Sequence, residues 1–201
     1  MSASSAGPPG RSRLPVLASR AYGPGVGEPV ASRPYIPDYG IVPADQGSGL
    51  LPWSWAEGEL RRSKNLWVAT VWPDGRPHVT AVWGVWLDSA VWFSCGLHAR
   101  KLVNLRREPR CSVATDDSDN PVVLDGVAEV VVERPMIRDF LDAANAKYQA
   151  GMSEEFLDPG TNATVRIEPV SAIGIRHDDF TGSPTRWQLA RTPGGSAGEL
   201  S

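Results

Sequence analysis

Residues 66–72 are almost wholly apolar, β-branched or aromatic (Leu66-Trp67-Val68-Ala69-Thr70-Val71-Trp72), and the run stops at Pro73-Asp74-Gly75. A run of that kind bounded by turn residues predicts a strand and a tight turn. His78 to Leu87 predicts a second strand, with Val82 and Trp86 on one face and Val79, Trp83 and Val85 on the other. Asp88-Ser89 turns into a third strand, Val91 to Ser94, completing an antiparallel meander. The period then changes. His98 to Arg107 puts Leu102 and Leu105 on one side and predicts a helix that Pro109 closes. Strands are expected over Arg110 to Thr115 and Val122 to Val132, joined by the turn Asp116 to Asn120, with Gly126 as a bulge. Behind Pro135, the helical spacing of Ile137, Phe140, Leu141, Ala144 and Tyr148 predicts an amphipathic helix packed on the sheet. Val165 to Ile175 and Thr185 to Leu189 read as the last strands, and Ser54-Trp55-Ala56-Glu57 has capping-box spacing for a short helix to about Ser63. No βαβ alternation is present. The order predicts a mainly β (α+β) fold, an antiparallel barrel of about six to seven strands with two to three helices.

The second strand carries large apolar residues on both faces. A small barrel leaves one face of each strand wet, so the other face needs a cover: the chain's own helices, a partner subunit or a flat aromatic ligand.

Composition divides the chain. Of 20 Gly and 18 Pro, eight of each fall in residues 1–49, where no strand or helix period exists. Such a segment buries too little apolar surface to offset its ordering entropy, so 1–49 is expected to be a disordered or surface-draped arm. Residues 50–190 form the expected domain and 191–201 a flexible tail. Arg11, Arg13 and Arg20, with no acid in the first 27 residues, resemble a transit peptide in composition, but no amphipathic stretch supports one. A plain leader in a cytoplasmic protein is the expectation. Two cysteines build neither a disulfide scaffold nor a closed zinc site, and no apolar run suits a membrane span.

Net charge is -3, which argues against nucleic-acid binding. Locally the balance reverses. Ala99 to Arg110 holds Arg100, Lys101, Arg106, Arg107 and Arg110 against Glu108 alone. Arg100 and Lys101 fall in the first turn of the expected helix, where free N–H groups and the dipole already favour an anion. Cations there are unfavourable unless an anion binds, so the pair points to a phosphate. The plainer alternative is a basic face paired with the acidic turn Asp116 to Asp119. Other catalytic signatures are missing. Gly23, Gly25 and Gly27 lie in the arm, and His78 and His98 are too far apart for a helical zinc pair. His177-Asp178-Asp179 reads as a solvated turn, and no metal is expected.

At these residues the sequence resembles a known group. Ala69-Thr70, Pro73 to Val79, Val82 to Trp86, Phe93-Ser94, Arg100 to Leu105, Pro109-Arg110 and Gly126 to Glu129 are similar to the pyridoxamine 5'-phosphate oxidase-like superfamily. Order and spacing are closest to its flavin/deazaflavin oxidoreductase branch, which often uses coenzyme F420. The resemblance covers roughly residues 50–190. It implies a split β-barrel, a homodimer, and a cofactor in a groove at the dimer interface.

By the same resemblance His78, Val79, Thr80, Ala81, Val82 and Trp83 lie against an isoalloxazine-type ring, and Phe93 and Ser94 beside the ribityl-phosphate portion. Arg100 and Lys101 hold the phosphate, and Arg186 and Trp187 belong to a motif near the cofactor. Pyridoxamine phosphate oxidases have a cation where Trp83 stands and an Arg where His78 stands, which argues against that activity itself. The expected function is an F420-dependent oxidoreductase passing a hydride to a small unsaturated organic substrate. His78 is the one titrating candidate for a proton donor near the ring, and Trp83, Trp86 or Trp92 are candidates to wall the pocket. FMN is the alternative cofactor; Arg61, Arg62 and Lys64 are candidates for the anionic tail that distinguishes F420. A further alternative is a non-enzymatic cofactor or tetrapyrrole-binding protein.

Overall fold

The computed structural model describes residues 28–189. Nine strands and three α-helices follow in chain order: β1 (Val30–Ser32), α1 (Trp53–Arg62), β2 (Leu66–Val71), β3 (Pro77–Val82), β4 (Val85–Leu87), β5 (Ala90–Gly96), α2 (Arg100–Arg107), β6 (Arg110–Thr115), β7 (Val122–Val131), α3 (Arg134–Tyr148), β8 (Asn162–Gly174) and β9 (Thr185–Gln188). The strands form one antiparallel sheet in the order β1-β9-β8-β7-β6-β2-β3, with β5 branching from β8 and carrying β4. The path does not close on itself, so the barrel is split.

The expected second strand is two strands. β3 pairs with β2, whereas β4 pairs with β5, and the chain changes partner at Trp83-Gly84. The cause is tertiary. The Gly84 carbonyl accepts from Lys147 Nζ (2.7 Å) and the Tyr148 hydroxyl (2.9 Å), both on α3, so it serves no ladder. A Cβ on Gly84 would stand 2.7 Å from Leu66 Cδ1. Between β4 and β5, Asp88 (φ 47°) and Ser89 (φ 57°) are both left-handed, the geometry of a two-residue hairpin loop.

Helix starts differ from the sequence reading at two places: α2 begins at Arg100 rather than His98, and α1 one residue before the expected cap. α1 begins at Trp53 behind an extended Pro52, and no side chain caps it. Ser54 is therefore already inside the first turn, and the Ser54–Glu57 capping box does not form. The bulge at Gly126 is present as a register shift between Asp125 and Gly126 in the β7–β8 ladder. Added methyl volume at Gly126 would meet Ile167 Cγ2 at 2.6 Å.

Two apolar clusters hold the sheet. One gathers Trp53, Leu60, Leu66, Phe93, Leu124, Ile167 and Trp187. The second lies under α3, where Trp92, Phe140, Leu141 and Leu157 meet Val85. Residues 28–49 extend the unit N-terminally of the expected boundary at residue 50. β1 pairs with β9, Arg33 donates to the Pro184 and Gly182 carbonyls, and Val42 N–H donates to Thr181 O (3.1 Å). The rest of the expected arm, 1–27, and the tail 191–201 lie outside the described residues. Among the described residues no helix is long and apolar enough to cross a membrane.

Candidate functional site

α2 carries the charge. Its N-cap is Ala99, which offers no side-chain cap, and its first turn contains no acid. Ala99 N–H donates to Gly96 O and Leu102 N–H to Ala99 O (both 2.9 Å), so at the positive end of the dipole the N–H groups of Arg100 and Lys101 have no partner among the described residues; Arg100 is exposed and Lys101 half-buried. The expected acidic partners are used elsewhere. Asp116 accepts from the Ser63 hydroxyl (2.5 Å) and Asn65 N–H (2.9 Å), and Asp117 accepts from Asp119 N–H (2.9 Å). Of the five cations, Arg110 alone is paired, to Glu108 at 2.7 Å. That contact pulls the Glu108 carboxyl down to about 2. Among the described residues, Arg100, Lys101, Arg106 and Arg107 have no carboxylate within 4.0 Å.

Trp72, at the end of β2, organises three cations. The Arg100 guanidinium lies 4.0 Å and that of Arg76 4.5 Å from the Trp72 ring centroid, and Arg107 Nη2 donates to Trp72 O (3.0 Å). The β2–β3 turn supplies Arg76, through Trp72 N–H to Arg76 O (2.8 Å) and a left-handed Gly75 (φ 87°). The edge of Trp72 meets the His78 imidazole at 6.1 Å and 75°. Trp72, Arg76 and Thr70 were not assigned to the site from sequence; the Trp72-Pro-Asp-Gly-Arg76 turn was the one signal that joins two of them.

The β3 residues alternate. Val82 is buried and His78 half-buried on the side of Thr70, whereas Val79 (58% exposed) and Trp83 (56%) face out. Ala81 is also exposed, and its register partner Trp67 is 46% exposed. The chain's own helices thus leave most of the outer face uncovered. Trp83 is the partial exception, stacking on Tyr148 of α3 at 4.8 Å and 8°. Beside it Lys147 is held down to about 8 by burial, and Tyr148 is pushed up to about 12 by the same cause. Thr80 is half-buried and within the same strand. Ser94 is half-buried opposite Thr164 at the end of β5. Cys95, next to it, has its thiol raised by burial, against the opposing pull of Lys101 and Arg106.

Several expected site residues are placed otherwise. Phe93 is fully buried in the core, as is Trp187, whose Nε1–H donates to Leu51 O (3.1 Å) between the rings of Trp53 and Trp55. Neither shows a surface to a ligand. Trp86 and Trp92 are buried too, one donating to Glu57 (3.2 Å) and the other to Leu87 O (3.0 Å). Arg186 is exposed on β9, with β8, β7, β6 and β2 standing between it and β3. Of the tail candidates, Arg61 pairs with Glu57 (3.3 Å) and Arg62 with Glu59, so neither charge is spare. Among the described residues no cluster of three metal-ligating groups exists. His177–Asp179 is a 3-10 turn in which Asp179 accepts from Ser48 N–H (2.6 Å) and Gly182 N–H (2.9 Å).

A cavity of about 420 Å³ lies apart from these residues, between α3 and the 3-10 turn Glu154–Leu157. Its Arg138 is already paired with Glu154 at 2.6 Å. Arg106 of α2 lines a smaller cavity of about 220 Å³ with Leu102, Leu105 and Glu129, whereas Arg100 and Lys101 line neither cavity.

The family model described as pyridoxamine 5'-phosphate oxidase matches residues 56–175. Among solved structures, a conserved hypothetical protein of Mycobacterium tuberculosis is 25% identical with a TM-score of 0.54, covering 73% of this chain and 94% of that one. A NimC/NimA family protein of Clostridium acetobutylicum is 14% identical with a TM-score of 0.55, covering 68% and 91%. An F420 reductase is 25% identical with a TM-score of 0.49, covering 58% and 94%. No curated protein matches significantly.

Proposed function

Because the chain belongs to the pyridoxamine 5'-phosphate oxidase family, we propose that it is an oxidoreductase holding a phosphorylated flavin-type cofactor on the first turn of α2. One observation carries the assignment: an uncapped helix start with Arg100 and Lys101 in its first turn and no carboxylate partner for either among the described residues. An anionic phosphate meets both the free N–H groups and the two cations, which are otherwise unfavourably placed.

Coenzyme F420 is our choice of cofactor. Arg76, Arg106 and Arg107 extend the cationic surface beyond what one phosphate needs, and the oligoglutamate tail of F420 is anionic. Arg106 and Arg107 take the place of Arg61 and Arg62. Arg76 is paired with Asp74 at 2.7 Å, so Arg106 and Arg107 supply most of the uncompensated charge. When bound, the cofactor supplies hydride transfer to a small unsaturated organic substrate. The residues of this chain anchor the phosphate, flank it with Trp72 and His78, and present β3 to the ring.

The outward face of β3 and β2 completes the proposal. Val79, Ala81, Trp83 and Trp67 form an apolar surface that a second copy of the chain would cover, so the working unit is a homodimer. Cys95 and Cys111 are both free, which suits a cytoplasmic protein.

Fluorescence titration of the full chain with F420 and with FMN tests the cofactor. Saturable F420 binding followed by hydride transfer to members of an enone and quinone panel is expected. Tight FMN binding without F420 binding selects the other cofactor, and cofactor binding without any turnover selects a non-enzymatic binder.

A further inference from the structure

Three guanidinium groups meet at one indole. Arg100 Cζ lies over the Trp72 ring at 4.0 Å from its centroid and Arg76 Cζ at 4.5 Å, while Arg107 Nη2 donates to Trp72 O (3.0 Å). They come from two elements: Arg76 belongs to the β2–β3 turn, and Arg100 and Arg107 stand about two turns apart on α2. Like charges gathered at one ring repel, so each needs a partner. Two of the three have one. Arg76 Nε donates to Asp74 Oδ2 (2.7 Å), and Arg107 is held by the Trp72 carbonyl. Among the described residues Arg100 makes no hydrogen bond and has no carboxylate within 4.0 Å. Its contact with Trp72 is through the ring face, which takes up no N–H, so all five donors of the guanidinium remain to be given.

The platform itself is fixed. Trp72 N–H donates to Arg76 O (2.8 Å), and Trp72 O accepts from Gly75 N–H (3.0 Å) as well as from Arg107, so the turn and the helix both hold its backbone. The ring is half-buried, and its edge meets the His78 imidazole at 6.1 Å and 75°. An exposed arginine otherwise samples many rotamers, and ordering it on binding costs affinity. We propose that Trp72 is a positioning residue that holds the exposed Arg100 guanidinium in one place, with its N–H groups free, for a phosphate group. The identity of the anion rests on the proposed cofactor site. The contact between Arg100 and Trp72 is a property of the free protein.

The test titrates inorganic phosphate into the ¹⁵N-labelled full chain at low salt and low temperature and follows the Arg100 Nε–H signal, identified by its loss in Arg100→Ala. In the free wild type the indole ring current is expected to set this signal upfield of the other exposed arginines, and phosphate is expected to shift it. Trp72→Leu is expected to return the signal to the position of the other exposed arginines and to weaken phosphate binding roughly two- to fivefold, the range for a cation on an exposed aromatic face. Trp72→Phe keeps a smaller aromatic face and is expected to fall between the two. In Arg100→Ala, Trp72→Leu is expected to weaken phosphate no further, which separates a role through Arg100 from a general loss of structure. The proposal is overturned by a free Arg100 signal no different from other exposed arginines, or by a signal that does not respond to phosphate. It is also overturned by a phosphate affinity of Trp72→Leu equal to or above wild type, or by a loss of the same size with and without Arg100. If phosphate behaves as stated and neither F420 nor FMN binds, the cofactor assignment fails alone. If a cofactor binds as tightly to Trp72→Leu as to the wild type, the positioning role fails and the cofactor assignment stands.

Discussion

Replacing Lys101 by alanine removes a charge that has no carboxylate partner to lose among the described residues. Lys101 sits half-buried in the first turn of α2, no carboxylate lies within 4.0 Å among the described residues, and the N-cap is an alanine. In the free protein a cation at that end of a helix opposes the dipole by about 0.3–1 kcal/mol. Lys101→Ala is therefore expected to leave the apo melting temperature unchanged or to raise it by ~1–3 °C. Binding moves the other way. A hydrogen bond to a charged group contributes about 1.5–3 kcal/mol, which corresponds to roughly a 10- to 150-fold weaker Kd. Partial exposure of the ammonium places the effect towards the lower part of that range. Calorimetry of the apo protein and fluorescence titration with F420, both at low salt, read the two quantities separately. A Kd within twofold of wild type, or a marked loss of apo stability, refutes the assignment of Lys101 to an anion.

Val79→Asp puts a charge in the centre of the exposed β2–β3 face and is expected to give a monomer by light scattering, with weaker cofactor binding, while the fold is kept. Gly174→Ala would set a methyl group 2.6 Å from Trp55 Cζ3 and 3.0 Å from the Trp187 ring. Overpacking of this kind costs about 1–3 kcal/mol, visible in urea unfolding and in near-UV circular dichroism of the tryptophan cluster. Cys111 is buried and its thiol is pushed up to about 12 by burial, so iodoacetamide at pH 8 should modify Cys95 and spare Cys111 until the chain is unfolded. The unfolded thiol ionises near 9.0 and the folded one near 12. The stabilisation from keeping Cys111 neutral is therefore full below pH 9 and is lost between about 9 and 12. Cys111→Ala should flatten that part of the stability curve.

Strong local periodicity made the helices and most strands legible. The spacing of Ile137, Phe140, Leu141 and Ala144 has its counterpart in α3, where all four are buried. The bulge falls at Gly126, where Ile167 leaves no room for a side chain. What escaped depends on contacts far along the chain. The break at Gly84 exists because Lys147 and Tyr148 take its carbonyl, and nothing in His78 to Leu87 encodes those partners. β1 is three residues without periodicity, and Arg33 holds the segment after it by bonding carbonyls about 150 residues away. The site shows the same division. The basic run with one acid was readable, and the pairing of Arg110 with Glu108 is local. The gathering of Arg76, Arg100 and Arg107 around Trp72 needs a turn and a helix to meet, which spacing alone does not reveal. Trp187 reads as a site residue in a linear motif, but it is enclosed by Trp53 and Trp55 from the other end of the domain.

The location of the bound phosphate tests the central claim most directly. In amide proton–nitrogen spectra of the ¹⁵N-labelled full chain, F420 or FMN bound at the start of α2 shifts the N–H signals of Arg100 and Lys101 most. Riboflavin, which lacks the phosphate, leaves those two signals nearly in place. If the largest shifts fall instead in the cavity between α3 and residues 154–157, or if riboflavin reproduces the shifts at Arg100 and Lys101, the start of α2 is not the cofactor anchor.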